Sequence, residues 1–281
     1  MNKRIRITVL VENSVHRQRL VAEHGLCFHI QYGPHSLLFD TGQTDLALAN
    51  AETLRLPLDR VESMVLSHGH YDHTGGVPSL LAVAPQARIY LHPAAFENKF
   101  SRNSNGQSRE IGMSDGVAQA IRSCPGGFFE TGSRTEIVEG VFATGEIPRL
   151  TPYEDTGGVF FLDAEGTRSD PLWDDQALVI DRGRSVILLL GCAHAGVVNA
   201  LNHVSQLTGG KPVSVVIGGL HLGSASEERI QQTIARLGDA KLECLVPVHC
   251  TGSLATHRLQ QALPDIFRLA EVGSVLEFSP D

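Results

Sequence analysis

Six consecutive residues, His68-Gly69-His70-Tyr71-Asp72-His73, place three imidazoles and one carboxylate within one tight turn. Imidazole nitrogen is a borderline donor and carboxylate oxygen a hard one. That mixture suits one or two divalent ions, with Zn2+ the first expectation and Mn2+, Fe2+ or Mg2+ as alternatives. With His68 and His70 on one ion and Asp72 and His73 on the other, a water would lie between them. A divalent cation lowers the pKa of such a water toward about 7, so the chemistry on offer is hydrolysis by a metal-bound hydroxide. Asp72 is also a candidate to orient that nucleophile.

The apolar stretch 61–66 reads as a short buried strand, so the cluster sits where a strand ends in a loop. Three later histidines repeat this arrangement. The run 186–190 leads into Gly191-Cys192-Ala193-His194, 213–217 into Gly218-Gly219-Leu220-His221, and 245–248 into His249-Cys250-Thr251-Gly252. In α/β sheets ligands collect beyond the carboxyl ends of strands. His194 and His249 are therefore expected to complete the metal shell, giving three protein ligands per ion and leaving positions for water and substrate. His221 has an extra leucine between the glycines and its ring. It is expected beside the shell, free to bind a leaving group or donate a proton. Cys192 suits either a thiolate ligand or a small buried residue, and is expected behind the ligands. Asp40, in Asp-Thr-Gly, is expected to fix a histidine tautomer from the second layer.

Length and composition bound the rest. The chain has 281 residues, a net charge of −8 and a pI near 5.9. One domain over 1–281 is expected, and the acidic balance does not fit a nucleic-acid-binding surface. The five cysteines are scattered, odd in number and without a C-x-x-C pair, which points to a reducing, cytoplasmic setting. The start, MNKRIRITVLVENSV, is basic and then apolar but has no cleavage site, and 186–190 is too short to span a bilayer. No membrane partner is expected. Between 93 and 122 apolar periodicity dissolves while Lys99, Arg102, Arg109 and Arg122 accumulate. That segment is a candidate flap over the metals. Arg102 and Arg109, with Arg149, are candidates to bind a small anionic substrate, such as a phosphorylated one.

Strands are expected at 4–11, 26–31, 36–39, 61–66 and 87–91, with helices over 45–54, where Asp45 can cap, and 76–83. Short strands follow at 135–138, 141–144, 158–162, 176–181 and 185–190. Helices 196–206, 225–237 and 252–262 then alternate with strands 213–217 and 242–248, before final strands near 268–278. This order suggests two sheets packed together, each covered by helices.

HGHYDH after an apolar strand resembles the signature of the metallo-β-lactamase superfamily. The order of the Asp40 loop, the H-x-H-x-D-H cluster, His194 and His249 extends the resemblance along nearly the whole chain. It implies an α/β fold, a four-layer αββα sandwich of two mixed sheets with helices outside and metals at one edge. EHGLCFHI, LLFDTGQT, SHGHYDHTGG, TGEIPR, DDQALVI, GCAHAGVVN, GGLHL and PVHCTG resemble the subgroup named for dihydropterin ribofuranosylaminobenzene phosphate synthase. Two departures from the wider superfamily stand out. No carboxylate follows the strand where many members place a metal-bridging aspartate, and TGEIPR, with Glu146 and Arg149, lies where a strand-end histidine is usual. Flavodiiron members carry Glu where this chain has His70, and a secreted lactamase would need a signal peptide. The leading expectation is hydrolysis of a phosphoester or related ester. The subgroup implies an alternative, transfer of a dihydropterin alkyl group from its pyrophosphate to an aminobenzene ribosyl phosphate. A metal-containing ligand-binding protein is the third reading.

Overall fold

The computed structural model describes residues 4–103 and 105–281. Residues 1–3 of the basic start, and position 104 within the expected flap, lie outside the described residues. The first sheet has seven strands in the order Val275–Phe278, Ile5–Val11, Cys27–Tyr32, His35–Phe39, Ser63–Val65, Arg88–Leu91 and Phe128–Glu130. Pairing is antiparallel as far as His35–Phe39 and parallel beyond it. The second sheet has six, in the order Cys244–Pro247, Val213–Gly218, Val186–Leu190, Ala177–Asp181, Val141–Ala143 and Thr135–Val138. Its first three strands run parallel and the others antiparallel.

The two sheets face each other across a shared core in which Ile7, Phe28, Ile30 and Phe39 meet Leu178, Ile187, Leu189 and Ile217. Outside the first sheet, Leu10, Leu38, Met64 and Ile89 pack on helices Leu46–Leu54, Val77–Val83 and Asp115–Arg122. Outside the second, Leu188, Val216 and Leu245 pack on Val197–Leu207, Glu227–Asp239 and Ser253–Ala262. Strand Val186–Leu190 shows why the sequence dictates this. Its five residues are all buried, Ile187 and Leu189 toward the sister sheet and Val186, Leu188 and Leu190 toward helices. A strand covered on both faces must be apolar throughout. The result is the expected four-layer αββα sandwich.

Some local expectations differ. Asp45 makes no side-chain cap; the Thr44 hydroxyl accepts from the Leu46 N–H instead, at 3.2 Å. The chain's end contributes one strand, Val275–Phe278. The described residues of segment 93–122 include strands Phe100–Arg102 and Ser108–Glu110 and helix Asp115–Arg122, and the two strands join Phe160–Phe161 in a small third sheet. Among the described residues no helix is long and apolar enough to cross a membrane.

Lys99 is fully buried, donating to Asp170 Oδ2 at 3.1 Å and Asp174 Oδ1 at 2.9 Å. It serves the scaffold rather than the surface. Lys99→Met would leave two buried carboxylates without their cation, a loss worth about 3–5 kcal/mol. Urea unfolding should show a drop of that order. An unchanged midpoint would mean the ion triad adds no stability.

Candidate metal centre

The strand ends converge as their order implies. The loops after Ser63–Val65, Val186–Leu190, Val213–Gly218 and Cys244–Pro247 bring His70, Asp72, Cys192, His194, His221 and His249 to one pocket, with His68 and His73 fully buried behind them. Their backbones are held tightly. Of eight non-glycine residues with positive φ among the described residues, four belong here: Asp40 (59°), Ala193 (54°), His221 (45°) and His249 (52°). Such conformations cost about 1–3 kcal/mol each and persist where surrounding structure enforces them. Gly191 is required by proximity, since a Cβ there would collide with the Ser67 hydroxyl.

Asp40 is fully buried and organises two of the histidines. Its carboxylate accepts from Ser67 N at 2.7 Å, Ser67 Oγ at 2.8 Å and His73 Nδ1 at 2.7 Å. Because the Ser67 hydroxyl proton goes to Asp40, its oxygen accepts from His68 Nδ1, 2.8 Å away. Assigned from these partners, both rings carry a proton on Nδ1 and turn Nε2 inward. His194 Nδ1 donates to Thr156 O at 2.9 Å, and His249 Nδ1 to Asn13 Oδ1 at 2.9 Å. These rings too point Nε2 inward.

The inward nitrogens face one another. His68 Nε2 and His70 Nδ1 are 2.9 Å apart, and His73 Nε2 and His249 Nε2 are 3.2 Å apart. Nε2 of His194 and of His70 is buried without a partner. Asp72 Oδ2 lies 3.6 Å from His73 Nε2 and 3.4 Å from His249 Nε2. Facing lone pairs at such separations need a proton or a metal ion between them: a neutral His70 can donate its Nδ1–H to His68 Nε2, whereas His73 and His249, whose Nδ1 atoms both donate elsewhere, need an added proton or a metal ion. Burial lowers the His70 pKa to about 3, and burial with neighbouring imidazoles pushes His68 and His194 well down, so these rings stay neutral. Burial opposes a charge on His73 as well, yet Asp40 and Asp72 raise its pKa to about 9. A proton therefore takes the cation's place in that half when no metal is bound. The donor set fits divalent metal in both halves.

Cys192 is nearer the centre than expected. Its Sγ is 3.2 Å from His73 Nε2 and falls within 4.8 Å of ligand atoms of both His68/His194 and His73/His249. The His221 ring centroid is 4.3 Å from that of His194. His24, with no role expected from sequence, places Nε2 3.1 Å from Asp72 Oδ2. Four supporting groups also had no role expected from sequence, although three of them stand in DDQALVI. Glu12 accepts from His249 N at 2.8 Å, Asp174 from Gly69 N at 2.7 Å, and Asp175 from Ala195 N at 2.7 Å. Gln176 donates to Leu66 O at 2.9 Å. Their partners are separated by long stretches of chain, and no local spacing announces them.

Above the histidines is a pocket of about 210 Å3. A larger surface hollow of about 430 Å3, around residues 59–63 and 84–88, has no histidine or cysteine in its wall, so chemistry singles out the smaller one. Across the third sheet Phe160 pairs with Ser101, and Ser101 with Arg109, so the three form one row on one face, and all line the pocket. The Phe160 ring sits 5.6 Å from His70 and 5.2 Å from His194. Arg109 donates to Tyr71 Oη at 2.7 Å over that ring. Arg102, one residue on from Ser101, faces the opposite side, bonding Glu165 O and lying 5.0 Å over Phe161. Arg149 is a strap, donating to the carbonyls of His194, Pro171 and Leu172. The structure brings Arg109 to the pocket and leaves Arg102 and Arg149 outside it.

The metallo-beta-lactamase superfamily model matches residues 21–193, more than half of the chain and including the histidine cluster. The chain belongs to this superfamily. A solved member, Tm1679, described as a metal-dependent hydrolase of the beta-lactamase superfamily, superposes with a TM-score of 0.83. It is 29% identical, over 98% of this chain and 99% of that one. A 7,8-dihydropterin-6-methyl-4-(beta-D-ribofuranosyl)-aminobenzene-5'-phosphate synthase of Methanocaldococcus jannaschii is 26% identical, covering 92% of this chain and 90% of its own length. An uncharacterised protein of the same organism is 27% identical over 96% of this chain and 99% of its length.

The metal-free superfamily fold should carry an acid liability at this site. His70 has a folded pKa of about 3 against an ordinary 6.5, so between those values the unfolded chain binds the extra proton. Its contribution to stability is whole above about pH 6.5 and is lost as pH falls toward about 3. In chelator-treated protein, His70→Gln should flatten the decline in unfolding free energy between about pH 6 and 4. An identical slope in the variant would show that this ring is not held neutral.

Proposed function

We propose that this protein is a metal-dependent hydrolase of small anionic esters, with phosphoesters the leading class. The observation that carries the reading is the pairing of six clustered donors, four of them lining the pocket, with one cation, Arg109, in its wall. His68, His70 and His194 would hold one ion and Asp72, His73 and His249 the other, with Cys192 between them. A set rich in nitrogen with one sulfur favours Zn2+ over Mg2+. Bound there, a divalent pair supplies an activated water and a Lewis acid for the substrate oxygen. The chain's own residues do the remainder. Burial holds His68, His70 and His194 neutral, hydrogen bonds through Nδ1 aim His68, His73, His194 and His249, Arg109 offers a charge-assisted bond to the substrate anion, and Phe160 shields the histidines from bulk water. The metal-dependent hydrolase that resembles this chain over nearly its full length supports the reading. An intracellular setting would suit the unpaired thiols.

The resemblance to the synthase, over nine-tenths of both chains, supports a second reading. In it the same site holds a diphosphate leaving group while a dihydropterin-methyl unit passes to an aminobenzene acceptor. Product analysis separates the two. Purified protein is offered a phosphoester and carboxylic-ester panel beside the dihydropterin pyrophosphate and aminobenzene ribosyl phosphate pair. Hydrolysis products support the first reading, and a coupled pterin product supports the second.

Elemental analysis should find one to two equivalents of divalent transition metal, and His70→Ala should lower that content and abolish turnover. Arg109→Ala should raise KM for an anionic substrate more than tenfold without changing metal content, since one charge-assisted bond is worth about 1.5–3 kcal/mol. Arg102→Ala should leave KM alone. Full activity in metal-free protein would contradict the reading.

A further inference from the structure

Cys192 also belongs to a third donor group, whose other two members, His221 and Cys250, the two-ion centre does not use. Its Sγ, the Sγ of Cys250 and one ring nitrogen of His221 all lie within 4.8 Å of one another. Tetrahedral coordination with metal–sulfur bonds of about 2.3 Å and metal–nitrogen bonds of about 2.0 Å puts neighbouring donors roughly 3.5–3.8 Å apart, so the group needs little closure. All three residues line the same pocket, and Cys192 is buried while His221 and Cys250 are half-buried.

The surroundings hold these groups in place. Cys250 Sγ donates to Cys192 O at 3.6 Å, which ties the last strand's loop to the loop after Val186–Leu190. His221 has φ of 45°, and its ring lies so close to Gly157 that a Cβ there would collide with it. His221 Nδ1 is buried and has no hydrogen-bond partner. No carboxylate belongs to the group. Two sulfurs and one nitrogen make a softer donor set than the imidazole and carboxylate groups beside it.

We propose that Cys192, His221 and Cys250 form a third metal site, selective for a thiophilic d10 cation such as Zn2+ or Cd2+. Cys192 then acts as a thiolate shared with the dinuclear centre. Binding displaces the two thiol protons to solvent and leaves the cation's fourth position facing the pocket. This assigns His221 to a cation rather than to the proton transfer expected from its sequence position. The site depends on the donor geometry alone and stands whether the reaction is hydrolysis or group transfer.

The test is a Cd2+ titration of chelator-treated protein, followed by thiolate-to-cadmium charge-transfer absorption and by bound-metal analysis. The wild type should reach about three equivalents, with the intensity of two thiolates. Cys250→Ser should lose about half of the charge-transfer intensity and about one equivalent, and His221→Ala should weaken the last equivalent at least tenfold. Cys124→Ser, whose buried thiol is outside the group, should match the wild type. Circular dichroism of each metal-free variant checks folding, and His221→Ala retains both thiols should Cys250→Ser fail to fold. Two equivalents and one thiolate's intensity in the wild type would overturn the third site while leaving the dinuclear centre intact. Cys250→Ser and His221→Ala variants that both titrate like the wild type would overturn it as well.

Discussion

The buried carboxylate of Asp40 is the constraint on which the centre depends. It lies at the end of strand His35–Phe39 in a left-handed conformation and accepts three hydrogen bonds, two from Ser67 and one from His73. Through them it fixes the end of the neighbouring strand, the tautomer of His73 directly and that of His68 by way of the Ser67 hydroxyl. A neutral amide there could not stabilise charge at His73 in the same way. The inward direction of two metal-facing nitrogens thus rests on a residue whose carboxylate is spent on their supports.

The same economy extends through the site's second layer. Thr156 and Asn13 fix the tautomers of His194 and His249 as Asp40 does those of its partners. The segment Asp174-Asp175-Gln176 joins the two sheets at this edge, reaching Gly69, Ala195 and Leu66 in turn. Arg149 holds the carbonyl of His194 from behind. Four strained backbones are maintained among these supporting hydrogen bonds. Rigid support of this kind allows the neutral rings of His68, His70 and His194 to crowd together.

The fold was legible because its strands carry their burial in their composition. Five apolar residues in a row at 186–190 can only be a strand covered on both faces, and the alternation of strands with helices specifies the layers. The histidine cluster was legible because its donors are adjacent in sequence. Elsewhere legibility failed for identifiable reasons. Arg102 and Arg109 look alike in sequence, but strand pairing turns one toward the histidines and the other away, and a difference of register parity decides it. Lys99 reads as a surface cation until its two aspartates, some seventy residues away, are brought beside it. Cys192 looks like a small buried residue because only the convergence of four loops shows that its sulfur lies between two sets of nitrogens.

The central claim is that these buried, partnered rings exist to hold metal. Crystals grown with Zn2+ and measured on both sides of its absorption edge test it most directly. Anomalous peaks about 2.0–2.2 Å from the inward nitrogens of His68, His70 and His194, and from those of His73 and His249, are the expected result. Zinc bound only elsewhere, with these nitrogens still in contact with one another, would contradict the account.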